Sequence, residues 1–236
     1  MYPEPYFPAE EHRRVRAETL ALGFEADPWL ERLDVPVFGL NLAIHWPLPA
    51  TFRAEYDGLR SRLRELPAEI HVYPFEETHV TLATLVSFKR HARPTAENTG
   101  ATLARLPELR RVVDHAAAAL GAFEIDVGPP VLVRTAAFLP ISNPTGEIAE
   151  LRSRLAGALQ DDPDLQIPRA IHSTVLRFRK PPEEAGSFVE AFETIAAGTR
   201  FGTAKVEEIL ITTETRPYMM AGQIVHKHHL GLPGPG

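Results

Sequence analysis

Hydrophobic positions along this chain change period in a regular order. Phe38, Leu40, Leu42 and Ile44 fall at every second position, the spacing of a half-buried strand, and Pro47 and Pro49 close it. Phe52, Tyr56, Leu59, Leu63 and Leu66 then recur at three- and four-residue intervals and predict a helix with one apolar stripe. A second strand is expected over about Thr78 to Phe88. The weakly periodic stretch from Ala92 to Leu106 predicts a loop, and a helix follows with Pro107 in its first turn and Gly121 beyond its end. Phe123 to Val127 alternates again before Gly128, Pro129 and Pro130 break the chain.

The same order then returns. Val131 to Ile141 predicts a strand, and Asn143 with Pro144 opens a helix whose stripe is Ile148, Leu151, Leu155 and Leu159. Ala170 to Arg179 predicts a strand, Phe188, Phe192 and Ile195 a helix, and Ala204 to Thr213 a last strand. The pentamer Leu59-Arg60-Ser61-Arg62-Leu63 recurs as Leu151-Arg152-Ser153-Arg154-Leu155 at equivalent places in two helices. Matched element order with a shared pentamer points to an internal duplication. Its halves are residues 37–128 and 131–213 of a domain over 36–213. Residues 1–35 form an N-terminal extension with a helix over about Ala9 to Leu22, and 214–236 form a C-terminal segment.

Composition narrows the function classes. Lys plus Arg is 25 against Asp plus Glu at 31, a net of −6, so the chain lacks the basic excess expected for gripping an extended nucleic-acid duplex. A small nucleotide or a single RNA end remains a suitable partner. There is no cysteine, which excludes disulfides and thiol chemistry. No apolar run suits a secretory signal or a membrane span, so a cytoplasmic location away from membranes is the expectation. Phosphate-binding glycine loops, dinucleotide fingerprints and serine-hydrolase elbows are missing from the sequence.

Candidate chemistry lies in the third element of each half. The first carries Thr78-His79-Val80-Thr81-Leu82 and the second Ile171-His172-Ser173-Thr174-Val175. Ten histidines supply roughly 0.7 His-x-Thr triplets by chance, so two copies at matched places are informative. Positions i and i+2 of a strand share a face, which pairs His79 with Thr81 and His172 with Thr174, while Val80, Leu82 and Val175 face the opposite layer. Two imidazoles and two hydroxyls around one point suit in-line chemistry at a phosphodiester. One imidazole is the base, the other the acid, and the hydroxyls donate to the phosphate oxygens. Neither a metal nor a cofactor is required.

These motifs and the duplicated order resemble the 2H phosphoesterase superfamily, which includes the RNA 2′,3′-cyclic phosphodiesterases. The resemblance covers roughly Val37 to Thr213. It implies an α+β fold of two lobes related by a pseudo-twofold, each an antiparallel sheet backed by helices, with the active cleft between them. It also implies a metal-independent phosphodiesterase acting on a 2′,3′-cyclic phosphate, or a related 2′-5′ diester, at a nucleotide or RNA end. Some members carry an arginine after the second motif, where this chain has Arg177. Strand parity sets Arg177 opposite to His172, so reaching the site takes a twist, a bulge or the length of its side chain. Phe178 has the inward parity and, with Tyr73, is a candidate for stacking on a base. Two other readings stand beside this one. A non-catalytic module would bind nucleotides or RNA ends with the same site, and a metal-dependent hydrolase would use His226, His228 and His229, placed on a flexible tail.

Overall fold

A computed structural model describes residues 7–89 and 95–231. Pro3, Pro5 and the Gly-Pro end at 233–236 lie outside the described residues. Among the described residues there are five helices and two antiparallel sheets. The first sheet contains β1 at Gly39–His45, β3 at Val80–Val86, β9 at Glu208–Glu214 and β10 at Ile224–His229, in the order β10-β9-β1-β3. The second contains β2 at Ile70–Val72, β4 at Phe123–Val127, β6 at Ala136–Ser142, β7 at Ile171–Phe178 and β8 at Gly202–Val206, in the order β2-β7-β6-β4-β8. A short β5, Val131–Val133, pairs with β6.

Five helices cover the sheets: α1 at Ala9–Leu22, α2 at Arg53–Arg64, α3 at Ala96–Ala117, α4 at Glu147–Ala158 and α5 at Ala185–Ala197. The repeated pentamers lie in α2 and α4, and Leu59, Leu63, Leu151 and Leu155 are all fully buried. Their spacing places each pair on one helix face, so burying both stripes draws the two sheets into one continuous apolar core. No described helix is long and apolar enough to cross a membrane.

Five sequence expectations are corrected. The expected loop from Ala92 to Leu106 is, from Ala96 onward, the first half of α3, capped by the Thr95 hydroxyl, which accepts from the Asn98 amide. Pro107 sits inside this helix instead of opening it. Alanine, leucine, glutamate and arginine favour a helix there despite Asn98, Thr99, Gly100 and Thr102, and few side chains are buried before Leu106, which leaves the apolar periodicity faint. The expected strand from Val131 to Ile141 is the hairpin β5–β6, turning at Arg134 and Thr135. The expected strand from Ala204 to Thr213 is two strands in different sheets, β8 beside β4 and β9 beside β1. The C-terminal histidines are not on a flexible tail: they lie in β10, on the edge of the first sheet.

Candidate active site

The chain enters the first motif along the edge of the second sheet. β2 pairs antiparallel with β7, and the Tyr73 amide donates to the Val175 carbonyl at 3.0 Å. A single helical turn at Phe75–Glu77 then delivers His79 to the start of β3. Farther along, Thr84 of β3 exchanges two backbone hydrogen bonds of 2.8 Å with Gln166, just ahead of β7. These links hold the motif-bearing strands of the two sheets beside one another. His79, Thr81, His172 and Thr174 all line one cavity of about 320 Å³ between them.

The two histidines are held in the same way. His79 Nδ1 lies 2.9 Å from the Glu77 carbonyl, and His172 Nδ1 lies 3.3 Å from the Ala170 carbonyl, in each case two residues back. A carbonyl only accepts, so each Nδ1 carries the proton and each Nε2 is left with its lone pair. The intervening side chains behave as alternation requires: Val80, Leu82, Ser173 and Val175 are fully buried behind the site.

A duplicated irregularity comes directly after each threonine. Leu82 is an extra residue in the pairing of β3 with β1, and Val175 is an extra residue in the pairing of β7 with β6. Each bulge reverses the parity of the later strand positions, so the residue three after the threonine returns to the cavity face. That residue is Thr84 in the first half and Arg177 in the second, and both line the cavity. The same reversal corrects Phe178, which is fully buried against Phe24 and Phe188 and does not line the cavity. Tyr73 is also buried, with 1% exposure, and stacks on no ligand from there; its hydroxyl lies beside the Arg177 guanidinium instead.

Arg177 is held from the N-terminal segment. Its Nη1 donates to Asp27 Oδ2 at 2.8 Å, and its guanidinium carbon lies 3.9 Å over the Tyr218 ring. The Tyr218 hydroxyl donates to the same Asp27 oxygen at 2.5 Å, and Asp27 Oδ1 accepts from the Trp29 amide. Asp27 is therefore a positioning residue, set behind the arginine and outside the cavity lining. Tyr218 and Met219 both take left-handed backbone angles, φ 63° and 58°, an uncommon conformation for such side chains. The turn is pinned by buried Glu214, whose Oε1 accepts from the Met219 amide at 2.9 Å. Asn41 Nδ2 donates to Glu214 Oε2 at 3.0 Å, and Asn41 Oδ1 accepts from the Thr84 hydroxyl at 3.1 Å. A polar row thus runs across the floor of the first sheet.

Burial dominates the electrostatics. It holds the His79 imidazole below its ordinary 6.5, against the pull of the Glu77 carbonyl. His172 is pushed down to about 4, by burial first and then by the Arg177 and His79 charges. Glu214 moves the other way, up to about 7, because burial outweighs the hydrogen bonds from Asn41 and the 218–219 turn.

Asp27, Asn41, Thr84, Glu214 and Tyr218 were not singled out from sequence. Asn41 left a trace, as the lone amide in the apolar run of β1, and Thr84 and Arg177 share the third place after their threonines. Asp27 and Tyr218 left none, because tertiary contact alone brings them to β7. His226 and His228 both bond to Asp114 Oδ1, at 2.7 and 2.9 Å, and His229 faces Glu208; none of the three lines the cavity. Among the described residues no group of histidines and carboxylates is arranged to hold a metal ion.

No protein-family model and no curated protein sequence matches the chain. Solved structures do. TT0787 of Thermus thermophilus is 17% identical with a TM-score of 0.56, the match covering 81% of this chain and 97% of that one. Apo LigT of E. coli is 16% identical with a TM-score of 0.50, covering 83% of this chain and 98% of that one. The two-lobed fold implied by the 2H phosphoesterase resemblance is the fold of this chain, shared with TT0787 and LigT.

Proposed function

We propose that this protein is a metal-independent phosphodiesterase that opens a 2′,3′-cyclic phosphate on a nucleotide or RNA end. The observation that carries the reading is the convergence of both His-x-Thr motifs on one cavity, with each imidazole oriented by the carbonyl two residues back. One Nε2 takes a proton from the attacking water while the other imidazole, protonated at Nε2, gives its proton to the departing ribose oxygen. Thr81 and Thr174 donate to the non-bridging oxygens, where charge builds as the fifth P–O bond forms. Arg177 adds a cation on the same face as His172 and Thr174. Both proton movements are supplied by side chains, so the step calls for no metal.

Neutral imidazoles in the empty site set the order of events. The acid must acquire a proton that burial disfavours, and the incoming phosphate supplies the compensating negative charge. Proton and substrate therefore arrive together. The kcat/KM profile reports the empty enzyme, so its maximum is expected on the acid side of 6.5, between the two lowered imidazole values. The kcat profile reports the occupied site and is expected to peak at higher pH. Rates on a nucleoside 2′,3′-cyclic phosphate from pH 4.5 to 9, with and without chelator, test this reading. A chelator-insensitive bell displaced in that direction supports it. Lack of ring opening at any pH, or loss of the rate in chelator, overturns it.

A further inference from the structure

The described residues give the cavity little net charge for a phosphate site. Among the described residues, the charged and titratable groups facing it are Arg177 from β7, Lys89 past the end of β3, Glu214 from β9, the Tyr218 phenol and the two imidazoles. The imidazoles are neutral in the empty site, Lys89 is exposed to solvent, and the Glu214 carboxyl contributes negative charge at alkaline pH. Tyr73 and Tyr218 flank the guanidinium as neutral phenols, since burial raises both. That leaves Arg177 as the buried cation among the described residues, and its charge is already matched by Asp27, whose side chain is only 7% exposed. So near a low-dielectric wall the pair presents a dipole instead of a free positive charge.

Ring opening changes the charge of the ligand in the cavity. Water forms a P–O bond, one ester P–O bond breaks, and the leaving oxygen keeps a proton. The monoanionic cyclic diester becomes a monoester whose second proton is lost to solvent above a pKa of about 6. We propose that Asp27, by neutralising Arg177 from outside the cavity, makes the site discriminate against dianionic phosphomonoesters, so that the product is released by charge. This rests on the phosphodiesterase reading and specifies its substrate class as monoanionic diesters. Hydrogen bonds from Thr81 and Thr174 serve either ligand equally, so the difference between them is electrostatic.

The test is a binding titration at pH 8 with adenosine 2′-monophosphate and with its methyl ester, which lacks one charge. The wild-type protein is expected to bind the ester at least about tenfold more tightly. Asp27→Asn removes the negative charge and leaves one acceptor oxygen, so absolute affinities can move for both ligands, and the ester-to-dianion affinity ratio is expected to shift toward the dianion by on the order of tenfold. Asp27→Glu, which restores the charge, is expected to return the wild-type ratio. Equal tightening of both ligands in Asp27→Asn overturns the inference and leaves the phosphodiesterase reading standing. So does a wild-type preference for the dianion, which needs no variant to measure. Failure of the wild-type protein to bind either ligand overturns the reading of the cavity itself.

Discussion

His79→Ala and His172→Ala are each expected to lower turnover on a 2′,3′-cyclic phosphate by about two to four powers of ten. Each ring has one nitrogen tied to a backbone carbonyl and the other left for the substrate, so alanine removes a proton carrier and leaves a cavity in its place. The double variant is expected to lose little more than the worse single variant, because base and acid act in one step and cannot be half used. Stability changes are expected to be small beside these losses. His172 contributes a ring contact with Phe138 at 4.8 Å but no ion pair. Single-turnover rates at saturating substrate, alongside thermal melting of each variant, check both points. An unchanged rate in either single variant would contradict the assignment.

Arg177→Met is expected to reduce both stability and substrate binding, with the two effects separable. Asp27 is buried, and losing its partner leaves a carboxylate supported, among the described residues, by the Tyr218 hydroxyl and the Trp29 amide. Breaking a buried pair from one side typically costs about 3–5 kcal/mol. The guanidinium side here is partly open to the cavity, with 19% of the side chain exposed, so a loss of about 2–3 kcal/mol is expected. Adding Asp27→Asn removes the stranded charge and is expected to recover most of that stability. The double variant is not expected to recover activity, since the cation toward the phosphate is still missing. Urea unfolding of the two single variants and the double variant measures the coupling. Full additivity of the two stability changes would contradict it.

Much of this arrangement was legible in the chain. Alternation through His-x-Thr placed both polar pairs on one face because β3 and β7 themselves take no extra residue before the threonine, the irregularity opposite Val80 and Thr81 lying in β1. The pentamers marked equivalent helices because burying Leu59 and Leu63, or Leu151 and Leu155, needs the same spacing. Legibility stopped one residue past each threonine. A bulge adds a residue without altering composition, so parity assigned Arg177 to the back and Phe178 to the site, the reverse of the fold. Glu207 hid a second failure. One polar residue separates β8 from β9, and nothing in the surrounding alternation marks the passage from one sheet to the other. The support of Arg177 was out of reach for a different reason. Asp27 and Tyr218 lie 150 and 41 positions away in the chain, and only packing brings Arg177 and Tyr218 to one Asp27 oxygen.

The central claim is that one phosphorus atom sits between His79 and His172. A crystal structure with adenosine 2′-monophosphate bound measures it directly. The expected result is a phosphate whose oxygens lie about 2.7–3.2 Å from both Nε2 atoms, with the Thr81 and Thr174 hydroxyls donating to the remaining oxygens. A phosphate held by only one of the two imidazoles, or lodged outside this cavity, would contradict the account.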